Sequence, residues 1–450
     1  SGIGNGVNNV IEALAVAGND LYAGGRFTQA GGQVANYIAR WNGSVWSPLG
    51  IGSANGVNSD VLTLARLGGD LYAGGYFEFA GGEPANLIAR WNGNAWSPLG
   101  SGLAGNFALV KVITAVGSDL YVGGDFSEAG GQPAFKIARW NGTAWSALGV
   151  GAANGVSRGD FIGVQAIAAF GSDLYVGGNF SEAGGQPASG VARWNGSAWF
   201  SLGSGAQNGV NNGVNALAVL GNEVYVAGGF SEAGGQPASN IARWNGSNWA
   251  TLGSGDNNGV NGNVRAMAVS GSDLYVAGTF TLAGGEPANS LARWDGNVWH
   301  GLSIDAPPQA VRALAIDAGF VYAGGAGLTQ TPLPDLQSKA VTGSVANGAS
   351  SRTVISRTGA RIAFASDASN LVVGDGNGRS DVYSRDPLSG AISRASAAAE
   401  AINGGAQESF SDPALSADGA RVAYVGSSGQ VYANLGTRSE EHTSELQSLA

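Results

Sequence analysis

The 450-residue sequence contains no cysteine, one methionine and two histidines, and only 12% of it is charged. The missing thiols exclude disulfides, thiolate nucleophiles, zinc–thiolate sites and iron–sulfur clusters together, so stability has to come from packing. Basic residues are in deficit, 22 Lys and Arg against 32 Asp and Glu, for a net charge of −10. With no basic patch to neutralise phosphates, a nucleic-acid partner is not expected. No apolar run approaches the ~20 residues of a membrane helix, so no membrane span is expected. No signal peptide is visible either, and the chain opens at Ser1 instead of Met, as a truncated sequence would. Glycine is abundant at 77 residues, alongside 12 Trp, 12 Tyr and 15 Phe. Such glycines read as turns between short strands and not as low complexity, and 44% apolar content is enough for real cores.

All twelve tryptophans fall in six copies of Trp, Asn or Asp, Gly, any two residues, Trp. The pairs are Trp41 and Trp46, Trp91 and Trp96, Trp140 and Trp145, Trp194 and Trp199, Trp244 and Trp249, and Trp294 and Trp299. Successive first members stand 50, 49, 54, 50 and 50 residues apart. That period is too long for a helical or leucine-rich solenoid and suits a four-stranded propeller blade. In the fifth copy VNALAVL and VYVAGGF read as a hairpin joined by GNE, SEAGGQPASN as a loop, and IARW and WATLG as a second hairpin across an Asn-Gly turn. The chain is therefore expected to be all-β, a β-propeller of four-stranded antiparallel blades, with six full blades plus a half blade and a partial second β-repeat segment.

Each copy repeats a set of structural candidates. Three residues after Tyr22, Tyr72, Tyr121, Tyr175, Tyr225 and Tyr275 comes a glycine, Gly25 in the first copy, expected to mark a bulge or close approach where neighbouring blades touch. The paired tryptophans become cross-strand neighbours, read as blade packing with exposed sugar-stacking platforms as the alternative. Arg40, Arg90, Arg139, Arg193, Arg243 and Arg293 precede the first Trp, and Asp20, Asp70, Asp119, Asp173, Glu223 and Asp273 precede the Leu-Tyr or Val-Tyr pair. Strand direction brings these two sets to one end of each blade, where repeated ion pairs are expected. Asn42, Asn141, Asn195 and Asn245 begin glycosylation sequons, but each opens an Asn-Gly turn that accounts for it.

Alternating strands place the long loops and the Asn-Gly-Val linkers on one face and only tight turns on the other. On the long-loop face one site varies, with Glu128, Glu182 and Glu232 where other copies have Gln29, Phe79 and Leu282. This acidic arc is the candidate ligand-binding site for a cation, basic peptide or sugar, with solvated loop residues as the alternative.

The pattern of strand, Tyr, Gly-Gly, loop and Trp resembles kelch-type β-propeller repeats over about residues 1–325. The resemblance implies the fold and leaves function open. Galactose oxidase, an enzyme with such blades, would imply copper held by tyrosines and histidines with a Tyr-Cys crosslink, which a Cys-free chain cannot supply. A seventh copy from Val311 reaches Tyr322, Gly324 and Gly325 and then loses its tryptophans, so its missing two strands are expected from sequence upstream of Ser1, leaving an unpaired edge. After a linker at 331–339, SRTGARIAF returns 60 residues later as SADGARVAY, with an Asp-Val-Tyr strand between them. Residues 340–437 thus resemble TolB-like repeats, barely more than one unit and expected to pack weakly. There Asp375, Asn377 and Asp381 are a weak calcium candidate, with a Gly-Asn-Gly turn as the competing reading. Residues 438–450 include RSEEHTSELQS, which resembles a translated sequencing adapter and is expected to be a non-native tail.

No nucleophile with a partnered base, no metal-ligand cluster and no nucleotide signature stands out, so neither catalytic residues nor a cofactor are assigned. The expectation is a non-catalytic extracellular or envelope-associated binding or adhesion propeller with a protein or glycan partner. A carbohydrate-active lyase or hydrolase, or a structural spacer in a larger protein, are the alternatives.

Overall fold

The computed structural model describes residues 6–18, 20–156, 163–255, 258–302, 311–317, 320–332, 350–355, 362–367, 371–372, 379–385, 392–397, 409–415, 422–426, 431–434 and 439–441. The chain is all-β and divides into two units, one of residues 1–316 and 322–330, the other of 317–321 and 331–450.

The first unit is a propeller. Its first blade joins Ile11–Ala17, Asp20–Gly25, Ile38–Trp41 and Trp46–Pro48 in that order, all antiparallel, and five more four-stranded sheets repeat the arrangement. The first strands of successive blades, Ile11–Ala17, Val61–Leu67, Leu109–Val116, Val164–Phe170, Val214–Leu220 and Val264–Ser270, lie against one another and surround the axis. Cores form between blades: Tyr22, Ile38 and Leu49 of blade 1 pack with Val61, Leu71, Phe77 and Trp91 of blade 2.

A seventh sheet of Ala313–Asp317, Phe320–Gly324 and Leu328–Pro332 has one strand more than the pair expected from the sequence. Leu328 takes a buried place beside Ile11, Leu21, Trp41 and Trp46, so the loss of tryptophans does not end pairing after Gly325. The Ile11 amide donates to the Gly325 carbonyl at 2.8 Å, and Glu12 pairs with Arg312 at 3.1 Å. Blade 1 therefore meets the seventh sheet and the ring closes.

Both tryptophans of each motif sit directly across from each other, with ring centroids 5.2 to 5.4 Å apart and tilted planes. Ten of the twelve are at most 9% exposed, and Trp145 and Trp249 are half-buried. The second indole also joins blades: Trp96 donates to the Leu49 carbonyl at 3.0 Å, Trp199 to Leu148 at 3.0 Å and Trp299 to Leu252 at 2.9 Å. Each bond satisfies a buried N–H with the carbonyl that ends the preceding blade. At the tight-turn end, the arginine before the first Trp meets its acid at 2.7 Å in Arg90–Asp70 and Arg139–Asp119 and at 2.9 Å in Arg293–Asp273. Most of these pairs are half-exposed and contribute ~0–1 kcal/mol each. Asn42 accepts from the amides of Ser44 and Val45, and the turn residues of the other blades do the same.

The repeated glycine marks a bulge, as the sequence suggested, but its close approach lies within its own blade and not where neighbouring blades touch. Between Ile11 and Ala13 the first hairpin slips by one residue, and the same bulge recurs at Val61/Thr63, Val110/Val112, Val164/Ala166, Val214/Ala216 and Val264/Ala266. A Cβ on Gly25 would collide with the Val10 carbonyl of its own blade, and one on Gly228 with the Gly213 carbonyl. The glycine three residues after the tyrosine thus makes room for the bulge within its blade. The contact with the neighbouring blade belongs to the preceding residue: a Cβ on Gly24 would strike Val61, and one on Gly74 would strike Val110.

The second unit contains two four-stranded antiparallel sheets instead of barely more than one repeat. Ser350–Ile355, Ile362–Ser366, Asp381–Arg385 and Ile392–Arg394 form one, and Phe410–Leu415, Val422–Gly426, Val431–Asn434 and Ser439–Glu441 the other. Ala363, Ala365, Val382 and Ala395 share a core with Val422 and Tyr424, so the two sheets pack on each other. Ser439–Glu441, inside the segment set apart as a tail, pairs as a fourth strand.

Candidate functional site

On the long-loop face the linkers are built into the structure. Val57 bridges Ala80, and Asn58 accepts from the amides of Glu78 and Phe79, while Asn55 reaches back to the Val34 carbonyl of the preceding blade at 3.1 Å. Asn211 and Asn261 hold the loops at Ser231–Glu232 and Thr281–Leu282 in the same way. The Asn-Gly-Val-Asn linker therefore clamps two loops at once and fixes the face before any ligand arrives.

Glu128, Glu182 and Glu232 stand on this face, each opening a two-residue strand at the same place in blades 3, 4 and 5, and all three are exposed. Blade 3 departs from its neighbours: its linker strand Leu103–Ala104 pairs with Glu128–Ala129, and Phe107, with φ 55°, is 84% exposed. Asp381 of the second unit is fully buried, accepts from the Ser396 hydroxyl at 2.5 Å and pairs with Arg394 at 3.4 Å. Its carboxylate is thus engaged inside a sheet, while Asp375 and Asn377 lie outside the described residues.

A second constellation lies where the six bulges are. The residue that each bulge leaves without a partner across the hairpin is Glu12, Leu62, Lys111, Gln165, Asn215 or Arg265, and Arg312 has the same place in the seventh copy. Within a repeat whose framework hardly changes, this position holds six residue types in seven copies. The first strand starts and the second strand ends on the long-loop face, so the ring of bulges forms the channel mouth there. Glu12 accepts from Arg26 at 3.0 Å and from Arg312 at 3.1 Å, and Arg26 also reaches Asp60 at 3.5 Å. Asn215 donates to Asn263 at 2.6 Å across a blade boundary. Asp125, at the blade 3 place corresponding to Arg26, has its carboxyl raised by burial and partly offset by Lys136 at 4.0 Å.

Because the first strands stand side by side around the axis, their bulged residues fall in one ring, and Glu12 meets Arg312 there directly. Lys111 of blade 3 has its pKa lowered by the crowding of the surrounding strands and by Arg26, Arg312 and Arg265, against the pull of Glu12. Arg265 is lowered by the same crowding and by Arg312, with Glu12 again opposing. Blades 1, 3, 6 and 7 therefore present charges to one another across the mouth. Among the described residues neither Lys111 nor Arg265 has a hydrogen-bonded or ion-paired partner, and both side chains are exposed to solvent.

The signal that would have found this ring was in the sequence. Aligning the copies on their tyrosines puts Glu, Leu, Lys, Gln, Asn, Arg and Arg in one column beside an unchanging Val or Ile. Reading the strands only as alternating scaffold hid it.

No family model matches the chain, and no curated protein matches it. Among solved structures the chain is similar to YCF48 bound to a D1 peptide, at 13% identity over 73% of this chain and 94% of that one, with a TM-score of 0.45. It is similar to the WD40 β-propeller domain of Doa1 at 12% identity over 72% and 93%, with a TM-score of 0.43. It is also similar to the GH74 xyloglucanase of Xanthomonas campestris at 13% identity over 98% and 74%, with a TM-score of 0.45. The sheets themselves show the fold: this chain carries a β-propeller of four-stranded antiparallel blades.

Proposed function

We propose that this protein is a non-catalytic binding propeller of the cell exterior or envelope that captures a protein or glycan on its long-loop face. The observation that carries this reading is how variation is distributed. Tyrosine, glycine, arginine and both tryptophans recur in six blades, whereas the exposed loop site runs through Gln29, Phe79, Glu128, Glu182, Glu232 and Leu282. Scaffold positions are held constant and positions facing solvent on one side differ, which suits recognition by an asymmetric ligand on a symmetric frame. The Asn-Gly-Val-Asn clamps support the same reading, because a fixed surface loses little freedom on binding.

The test is a glycan and protein-ligand array probed with the chain and with a Glu128→Gln, Glu182→Gln, Glu232→Gln triple variant. Capture by the first and several-fold weaker capture by the second, with equal melting temperatures, is the expected result. Absence of capture, or capture indifferent to the three substitutions, would remove the acidic arc as the contact.

A further inference from the structure

Among the described residues, the channel mouth has a charge balance opposite to that of the molecule: four cations, Arg26, Lys111, Arg265 and Arg312, gather around two carboxylates, Glu12 and Asp60, in a chain whose net charge is −10. Both carboxylates are committed to Arg26, and Glu12 also to Arg312. Lys111 and Arg265, from blades 3 and 6, are left facing the channel with no partner among the described residues.

The fold does not require these two charges. Leu62, Gln165 and Asn215 occupy the same bulge in blades 2, 4 and 5, and those blades form the same sheets with the same register slip. Gathering like charges is unfavourable, and at Lys111 the nearby Arg26, Arg312 and Arg265 add to burial in lowering its basicity. Cations held together without a structural need, two of them with no carboxylate partner among the described residues, favour an anion there. Arg26 and Arg312 are oriented by Glu12, so they add directed donors, while Lys111 and Arg265 supply charge from separate blades.

We propose that the ring of bulged residues at the channel mouth is an oxyanion site for a small ligand bearing at least two carboxylate, sulfate or phosphate groups, bridged between Lys111 and Arg265. The assignment rests on the reading of this protein as a binding propeller and names a ligand class for a second part of the same face. A ligand with two charged groups engages both unpaired cations, whereas a single group reaches only one of two blades. Contact with a ring one residue deep favours a compact ligand.

The experiment is isothermal titration of the full chain with citrate, sulfate and inorganic phosphate at low ionic strength, repeated at added salt. Citrate is expected to bind more tightly than either inorganic ion and to weaken as salt rises. The Lys111→Gln, Arg265→Gln double variant should bind citrate at least tenfold more weakly with an unchanged melting temperature. Gln165→Lys adds a cation to the ring and should tighten binding several-fold, which keeps the test decisive if the double variant folds poorly. No citrate binding by the unaltered chain, equal binding by the double variant, or no gain from Gln165→Lys would each overturn the site. Array capture that persists alongside such a failure would leave the binding-propeller reading standing, because it reads the loops and not the channel.

Discussion

Trp244 is 7% exposed, stacks at 5.4 Å on half-buried Trp249 and belongs to a core that draws on blades 4 and 5. Trp244→Ala leaves a cavity at that boundary and is expected to cost about 3–5 kcal/mol, read as a lower denaturation midpoint with an unchanged slope. Asp295 replaces the turn asparagine of the other blades and carries a second bond, 2.7 Å to His300. Burial alone would raise its carboxyl, but the Val298 amide, His300 and the Asn297 amide hold it down to about 2. A carboxylate depressed in the folded state stabilises fully above its unfolded pKa and loses that contribution as pH falls through the folded value. Asp295→Asn should therefore differ from the parent by about 1–2 kcal/mol near pH 6, and the difference should shrink as pH falls from about 4 to 2. A gap constant from pH 6 to pH 2, in melts of the two proteins, would show that the carboxylate is not held this way.

At the scale of the element, the bulge decides what each blade presents to the axis. Gly228 lies against the Gly213 carbonyl, so Gly228→Ala forces the first hairpin apart and should destabilise by about 1–3 kcal/mol. Gly246, in an exposed turn with nothing near its missing Cβ, has φ 97°, and its substitution would report turn strain without crowding. A circular-dichroism melt of Gly228→Ala that matches the parent would mean the strand accommodates the methyl and the bulge is not held by glycine. The blade was legible in the sequence because its signals are local: the Trp-to-Trp spacing, the Asn-Gly turn and the Tyr-Leu hairpin each involve residues close along the chain. The bulge was half legible. An unchanging glycine announced a bulge or close approach, but the neighbouring blade was taken as its partner, because both the Val10 carbonyl and Val61 are near that corner and only the first lies against Gly25. The third strand of the seventh sheet was missed because Leu328–Pro332 lacks the tryptophans that marked the six full blades, and the second sheet of the other unit because only its strand Val422–Gly426 overlaps the SADGARVAY repeat.

At the scale of the whole propeller, ring closure joins residues 300 positions apart, Glu12 and Arg312. The bulge residues Glu12, Lys111, Arg265 and Arg312 stand in one aligned column, but a strand read as alternating scaffold does not show that a bulge turns that column toward the axis or that closure brings Glu12 to Arg312. The loop-site glutamates were visible because they vary within a loop, where variation reads as surface, but their column alone does not say what they touch. Charge repulsion at the mouth gives a further expectation: Lys111→Gln should leave stability within about 0.5 kcal/mol of the parent and on the favourable side, since an unpaired cation is removed. The chain has three lysines, Lys111, Lys136 and Lys339, so each can be followed by NMR of its side-chain Cε–Hε signals. Titration of Lys111 with and without Glu12→Gln and Arg312→Gln tests the convergence of blades 1, 3 and 7 most directly. The account predicts that Lys111 titrates below an ordinary lysine, lower still in Glu12→Gln and closer to normal in Arg312→Gln. A Lys111 that titrates as an isolated lysine, unmoved by either substitution, would contradict it.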